Sequence, residues 1–178
     1  MNGPALKVAL AAGGTGGHLF PAEALANALT ARGAHVELIS DERAQAYAAT
    51  FPATLHRISA GTVTGGGLLA KVRGAWSLFR GTREARVLLR RLRPDVVVGF
   101  GGYPTVPPLY AAATSGVPTL IHEANAVMGR ANNFLAPKVR RIATGFPLRD
   151  ARWPDKTIVT GNPVRPPVLE AADVPFQP

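Results

Sequence analysis

Seven short runs rich in apolar and β-branched residues punctuate the chain: LKVALAA (6–12), HVELIS (35–40), TLHRIS (54–59), DVVVGF (95–100), PTLIHE (118–123), VRRIAT (139–144) and TIVTG (157–161). Between most of them, apolar residues recur at helical spacing, as in LFPAEALANALTARG and PLYAAATSG. Runs of four to eight such residues read as strands, and strands alternating with helices imply βαβ units. Right-handed crossovers stack such units into a parallel sheet with helices on both faces, so the pattern predicts an α/β, Rossmann-like fold. Ligands in such sheets gather at the carboxyl ends of the strands. The conspicuous polar and glycine-rich stretches fall there: GGTGGH after the first run, SDE after the second, GGYPT after the fourth and HEAN after the fifth.

Composition narrows this picture without changing it. A chain of 178 residues with 47% hydrophobic and 17% charged residues can bury a core as one domain. It has no cysteine, which excludes disulfides, thiolate metal sites and cysteine nucleophiles and is compatible with a reducing cytoplasm. The first run is short, carries Lys7 and leads straight into glycines, so it reads as a strand and not as a signal peptide. Val96 to Ile121 lacks any charge, but its four glycines and four prolines break a spanning helix. That stretch reads as strand, loop, helix and the start of another strand. The proline-rich tail GNPVRPPVLEAADVPFQP lacks a convincing further element and is expected to be the start of a linker.

The first glycine stretch carries chemistry. Glycines between a strand and a helix let backbone N–H groups approach an anion with no Cβ in the way, and the helix N-terminus adds about half a positive charge. No Lys-Ser or Lys-Thr pair follows, so GGTGGH is not a Walker A loop, and Leu19 stands where the third glycine of a dinucleotide fingerprint belongs. A tight turn without a ligand is the plain alternative. The second loop, FGGYPT, again sets paired glycines at a strand end, and two cradles facing one cleft suit a diphosphate. Tyr103 either caps that site or packs at the loop base.

The histidines divide. His35 and His56 lie inside strands and are expected to be structural. His18 ends the glycine loop, and an ordinary pKa near 6.5 suits it to take a proton from a hydroxyl. It is equally readable as a helix-start residue that only hydrogen-bonds the loop. His122, Glu123 and Asn125 cluster after an apolar strand and suggest substrate hydrogen bonding. Asp41, after the second strand, reads either as the N-cap of a helix over DERAQAYAAT or as a ribose ligand in a plain nucleotide-binding module.

Charge is uneven. Leu68 to Arg93 holds eight Lys or Arg residues against one Glu, which is seven of the nine net positive charges. Within this helical stretch, which Gly81-Thr82 is expected to kink or split, Trp76 and Phe79 stand among Arg73 and Arg80 like an interfacial anchor. Anionic lipid is one candidate partner, and a merely solvated helix face is the plain alternative. No nucleic-acid motif accompanies the run, so nucleic acid is not expected as a partner.

Taken together and in order, GGTGGHLFPAEALANAL, DVVVGFGGYPTVPPLYAA, PTLIHEANAVMGRANNFLA and GNPVR resemble the N-terminal half of the MurG family, peptidoglycan N-acetylglucosaminyltransferases of the B type with two Rossmann-like domains. The resemblance runs from Leu6 to about Arg165. It implies an acceptor-side domain over 1–163, the start of an interdomain linker over 164–178, and an absent C-terminal domain that holds most of the donor, so the chain alone is expected to be inactive. It implies that Gly13, Gly14, Gly101, Gly102, Tyr103 and Glu123 hold the diphosphate of an undecaprenyl-linked muramyl pentapeptide. Thr15, Gly16, Gly17, Asn125 and Arg165 are expected to meet UDP-N-acetylglucosamine. His18 becomes the candidate base for the muramyl 4-hydroxyl, with inversion to a β-1,4 linkage and no cofactor or metal. Similar proteins work at the cytoplasmic face of the plasma membrane, which gives Trp76, Phe79, Arg73 and Arg80 a peripheral membrane contact. The family usually reads His-Glu-Gln-Asn where this chain has Ala124, so any contact of the Gln side chain is missing.

Overall fold

The structure is a computed structural model and describes residues 5–13, 15–60, 67–150, 152–172 and 174. All seven apolar runs form strands: β1 (Lys7–Ala11), β2 (His35–Ser40), β3 (Thr54–Arg57), β4 (Val96–Gly99), β5 (Thr119–Glu123), β6 (Arg141–Thr144) and β7 (Thr157–Val159). They form one sheet in the order β3-β2-β1-β4-β5-β6-β7, with every neighbouring pair parallel. The helices are α1 (Gly16–Thr30), α2 (Leu68–Leu92), α3 (Val106–Thr114), α4 (Arg130–Leu135) and α5 (Pro166–Ala172).

The two-residue period of the strands decides which side chains meet which helices. Val8 and Leu10 of β1 join Leu19, Ala22 and Ala26 of α1 and Leu38 of β2 in one core cluster. Ala9 and Ala11, on the opposite face, join Ile39, Val97 and Ile121 with Leu88 and Leu89 of α2, Leu109 of α3 and Leu135 of α4. Burying one Leu or Ile side chain contributes roughly 1.5–3 kcal/mol, so these two layers hold the sheet edge rigidly in place. β1 pairs with both β2 and β4, so the chain reverses direction across the sheet there, and the loops after β1 and β4 lie side by side at that switch point.

Three expectations are corrected. Gly81-Thr82 does not split α2, which runs unbroken from Leu68 to Leu92. Gly81 is instead where the helix touches the main chain of Ser59, and a Cβ there would strike that carbonyl oxygen. The DERAQAYAAT helix shortens to a six-residue 3-10 segment, Glu42–Tyr47. Asp41 occupies its N-cap position but makes no capping bond with its side chain. The tail contains α5, a short helix with no buried residue.

α2 ends for a local reason. Arg93 adopts a left-handed conformation (φ 49°), its N–H bonds to the Leu89 carbonyl at 2.8 Å, and Pro94 cannot continue the helix.

Candidate functional site

The two glycine loops meet. The Gly13 N–H donates to the Gly101 carbonyl at 3.1 Å, so the ends of β1 and β4 are joined by a backbone hydrogen bond. Gly101 (φ 89°) and Gly102 (φ 77°) occupy the left-handed region, where only glycine is unstrained. Fully buried Thr105 secures the turn, its hydroxyl 2.6 Å from the Gly101 carbonyl and 3.2 Å from the Ala11 carbonyl. Gly14 lies outside the described residues.

α1 begins inside the first loop. Thr15 is its extended N-cap, so Gly16 and Gly17 form its opening turn, where N–H groups have no intrahelical acceptor. The first turn carries no acidic residue that would cancel its partial positive charge. Nothing lies within 4 Å of where a Gly17 Cβ would stand, so packing within the domain does not require glycine there.

The His18 imidazole covers both loops. A Cβ on Gly13 or on Gly102 would come within 2.8 Å of its Cδ2, and one on Gly101 within 3.5 Å of its Cε1. Burial lowers the His18 pKa from its ordinary 6.5, against a smaller opposing pull from the Glu123 carboxylate. The ring is therefore neutral at neutral pH, the form that accepts a proton. It lines a hollow of about 530 Å³ together with Gly101, Gly102, Tyr103, Asn125 and Arg130.

Glu123 does not fit the diphosphate contact expected of it. It is buried, and its carboxylate is consumed by its own loop. One oxygen accepts from the Asn125 N–H (3.0 Å) and side-chain amide (3.1 Å), and the other from the Gly129 N–H and the Asn132 side chain, both at 2.9 Å. A carboxylate so placed repels a phosphate but fixes exposed Asn125 and the start of α4 against the glycine loops. His122 is likewise structural. It is buried, packs on Phe100, and its Nε2 lies 3.2 Å from the Gly161 carbonyl, while burial lowers its pKa against the pulls of that carbonyl and of Glu123.

The remaining residues sort by distance from this hollow. Arg165 does not line it. Its guanidinium stacks on Phe20 of α1, 3.7 Å from the ring centre, and pairs with Glu23 at 3.5 Å. Phe20 in turn covers Gly16, so Arg165 reaches the first turn of α1 through that ring. Asp41 lies in a different hollow, of about 680 Å³ at the ends of β2 and β3, where Arg43 holds it at 2.6 Å. His56 pairs with Glu37 of the neighbouring strand at 2.8 Å, a structural contact, and His35 sits at the start of β2. On α2, Val72, Trp76 and Phe79 form one exposed stripe, with Trp76 63% and Phe79 53% accessible and their rings 5.8 Å apart. Exposed Arg73 flanks it, while Arg80 is paired with Glu84 at 2.9 Å. Among the described residues no helix is long and apolar enough to cross a membrane, and no cluster of His, Asp or Glu is arranged to hold a metal ion.

Three residues were not legible as site residues in the sequence. Arg130 contributes the one Lys or Arg side chain among the described residues that line the His18 hollow. Buried Asn132 bonds both the His122 carbonyl (3.1 Å) and Glu123, and its own side-chain oxygen has no partner among the described residues. Asn162 donates to the Ala124 carbonyl at 3.2 Å and packs on Gly145, which clamps the chain after β7 to the end of β5. All three lie within the stretches that carry the family resemblance, but residue type and spacing give none of them a role. Ala124 takes part through that carbonyl.

The chain is similar to known proteins over most of its length. Residues 8–144 match the model of the "Glycosyltransferase family 28 N-terminal domain". A protein of Rhizobium johnstonii is 56% identical over 173 residues, covering 96% of this chain and 46% of its own length, and one of Brucella canis matches at the same figures. Both bear the name UDP-N-acetylglucosamine–N-acetylmuramyl-(pentapeptide) pyrophosphoryl-undecaprenol N-acetylglucosamine transferase. The chain thus spans about half the length of these curated relatives. Among solved structures, MurG of Acinetobacter baumannii superposes with a TM-score of 0.76 at 28% identity, covering 97% of this chain and 50% of that one. A UDP-GlcNAc 2-epimerase from Methanocaldococcus jannaschii shares the fold, with a TM-score of 0.65 at 15% identity over 88% of this chain and 46% of that one. With the matched segment running from β1 through β6 and taking in both glycine loops, the chain belongs to glycosyltransferase family 28, of which it carries the N-terminal domain.

Proposed function

We infer that this domain is the acceptor side of an inverting N-acetylglucosaminyltransferase that converts an undecaprenyl-diphosphate-linked muramyl pentapeptide to its disaccharide form. The observation that carries the reading is the union of the two glycine loops beneath a neutral His18. The amides of Gly16 and Gly17, which have no intrahelical acceptor, and the left-handed turn at Gly101 and Gly102 offer donors to a diphosphate, with Gly13 tying the two loops together, Arg130 supplying charge and Tyr103 a wall. Glu123 holds Asn125 in place.

The chemistry follows from that placement. His18 accepts the proton of the muramyl 4-hydroxyl as its oxygen attacks the anomeric carbon of UDP-N-acetylglucosamine. The bond from that carbon to the diphosphate oxygen breaks, UDP leaves, and the configuration inverts to a β-1,4 linkage. Thr15, Gly16, Gly17 and Asn125 border the donor, with Arg165 behind the first turn of α1. The chain matches 46% of the length of such a relative, and in this reading a domain outside that half supplies most of the donor contacts, so that the 178-residue chain alone has no turnover.

The α2 stripe fits a protein that works on a lipid-linked substrate at the cytoplasmic face of the plasma membrane. Trp76 and Phe79 enter the interface, and Arg73, Arg80 and their basic neighbours add about 1 kcal/mol each near an anionic surface. A nucleotide-binding module reading a ribose through Asp41 is disfavoured, because Asp41 is ion-paired in a hollow apart from the glycine loops.

The test is transfer. Joined to the donor half of a relative, the chain is expected to form the disaccharide product, and His18→Ala to lower kcat by about a hundredfold or more. An unchanged rate in His18→Ala removes the general base.

A further inference from the structure

We propose that an apolar groove between α2 and the start of α3 receives the first two isoprene units of the acceptor's prenyl chain, so that this domain reads the lipid as well as the diphosphate. The proposal rests on the glycine loops being the diphosphate cradle. The groove is about 290 Å³ and is walled by Ala75 and Leu78 of α2, Val106 and Pro107 of α3, and Phe134 of α4. That is room for about ten carbon-sized groups at the roughly 30 Å³ one small group occupies in a liquid. Ten carbons make two isoprene units.

What chooses the occupant is continuity. Tyr103, Arg130 and Ala131 line both this groove and the His18 hollow, so the two share a wall. The cationic Arg130 stands at their junction, where a diphosphate would join an apolar chain. The other wall of the groove is the helix that carries the exposed Val72, Trp76 and Phe79 stripe, so a chain leaving the groove meets an apolar surface. Gly74 and Ala75, small residues on α2, leave this space open where larger side chains on a basic helix would close it. A free peptide or sugar has no use for such walls, whereas a branched hydrocarbon gains from each buried carbon.

The test uses the 178-residue chain in buffer free of detergent and vesicles. Calorimetric titration with methyl, dimethylallyl, geranyl and farnesyl diphosphate holds the head group constant while the chain grows. Affinity is expected to rise by at least about tenfold from methyl to geranyl diphosphate and to level off at farnesyl. Ala75→Trp fills the groove from an exposed helix position and is expected to abolish that rise while leaving methyl diphosphate binding within about twofold. Leu78→Ala removes a wall, and a reduced rise in it supports the proposal independently should Ala75→Trp fail to fold. Equal affinities along the series, with methyl diphosphate still bound, overturn the groove and spare the cradle. No binding of methyl diphosphate overturns the cradle itself. A rise that survives both groove variants but disappears in Trp76→Ala/Phe79→Ala overturns the groove in favour of the outer stripe.

Discussion

Gly17→Ala separates a glycine kept for folding from one kept for a ligand. Gly17 lies in the opening turn of α1, has no left-handed φ, and has nothing within 4 Å of a would-be Cβ. Alanine is better than glycine in a helix by up to about 1 kcal/mol, with the gain reduced in the first turn, so stability should be unchanged or raised. For a domain of this size that is a shift of about 0 to +4 °C in Tm. A methyl group beside this first-turn amide meanwhile obstructs the approach of an anion. Losing one charge-assisted hydrogen bond costs about 1.5–3 kcal/mol, which weakens diphosphate binding roughly tenfold to a hundredfold. Thermal denaturation and calorimetric titration with geranyl diphosphate measure the two quantities on one sample. A stable Gly17→Ala domain that binds as tightly as the parent refutes the cradle reading of the first loop, because neither folding nor ligand would then require the glycine.

Four further outcomes are expected. Gly81→Ala should destabilise by about 1–2 kcal/mol, or roughly 2–8 °C in Tm, since the collision with the Ser59 carbonyl outweighs the helix-propensity gain; a stabilised variant would show that α2 shifts freely. His18 should titrate below its ordinary 6.5 by NMR, lower still in Glu123→Gln, which removes the carboxylate's upward pull, and higher when a diphosphate is bound. Burial disfavours the protonated forms of His18 and His122 in the folded chain, so the unfolded chain binds more protons once the pH drops below about 6.5. Denaturant melts should accordingly show stability level above that pH and falling below it, and a stability that rises on acidification contradicts the burial argument. Sedimentation with anionic vesicles should be lost on replacing Trp76, Phe79, Arg73 and Arg80 together and weakened by high salt; unchanged sedimentation removes the membrane contact.

Much of the fold was written in local pattern. Each of the seven apolar runs became a strand, and LFPAEALANALTARG and PLYAAATSG became helices, because alternation and helical spacing are short-range properties that burial on one face enforces. The boundaries shifted where tertiary contacts intervene. α1 starts at Gly16, three residues before its apolar spacing begins at Leu19, since glycines carry no pattern but accept helical geometry. Gly81 looks like a helix breaker in isolation and proves to be a contact point with Ser59.

The site divides along the same line. Glycine-rich turns and a histidine at strand ends are visible in the chain alone, because residue type and position after a strand are local facts. Which of those groups face one another is set by how distant strands pair. The pairing of β1 with β4 brings Gly13 to Gly101, 88 positions further along the chain, and lays His18 over both. It also turned Glu123 and His122 inward, drew Asn132 and Asn162 in as supports, and set Arg130 where a diphosphate and an apolar groove would meet. A carboxylate reads identically in sequence whether it meets solvent or four hydrogen-bond donors; burial and partners, which are long-range, settle what it does.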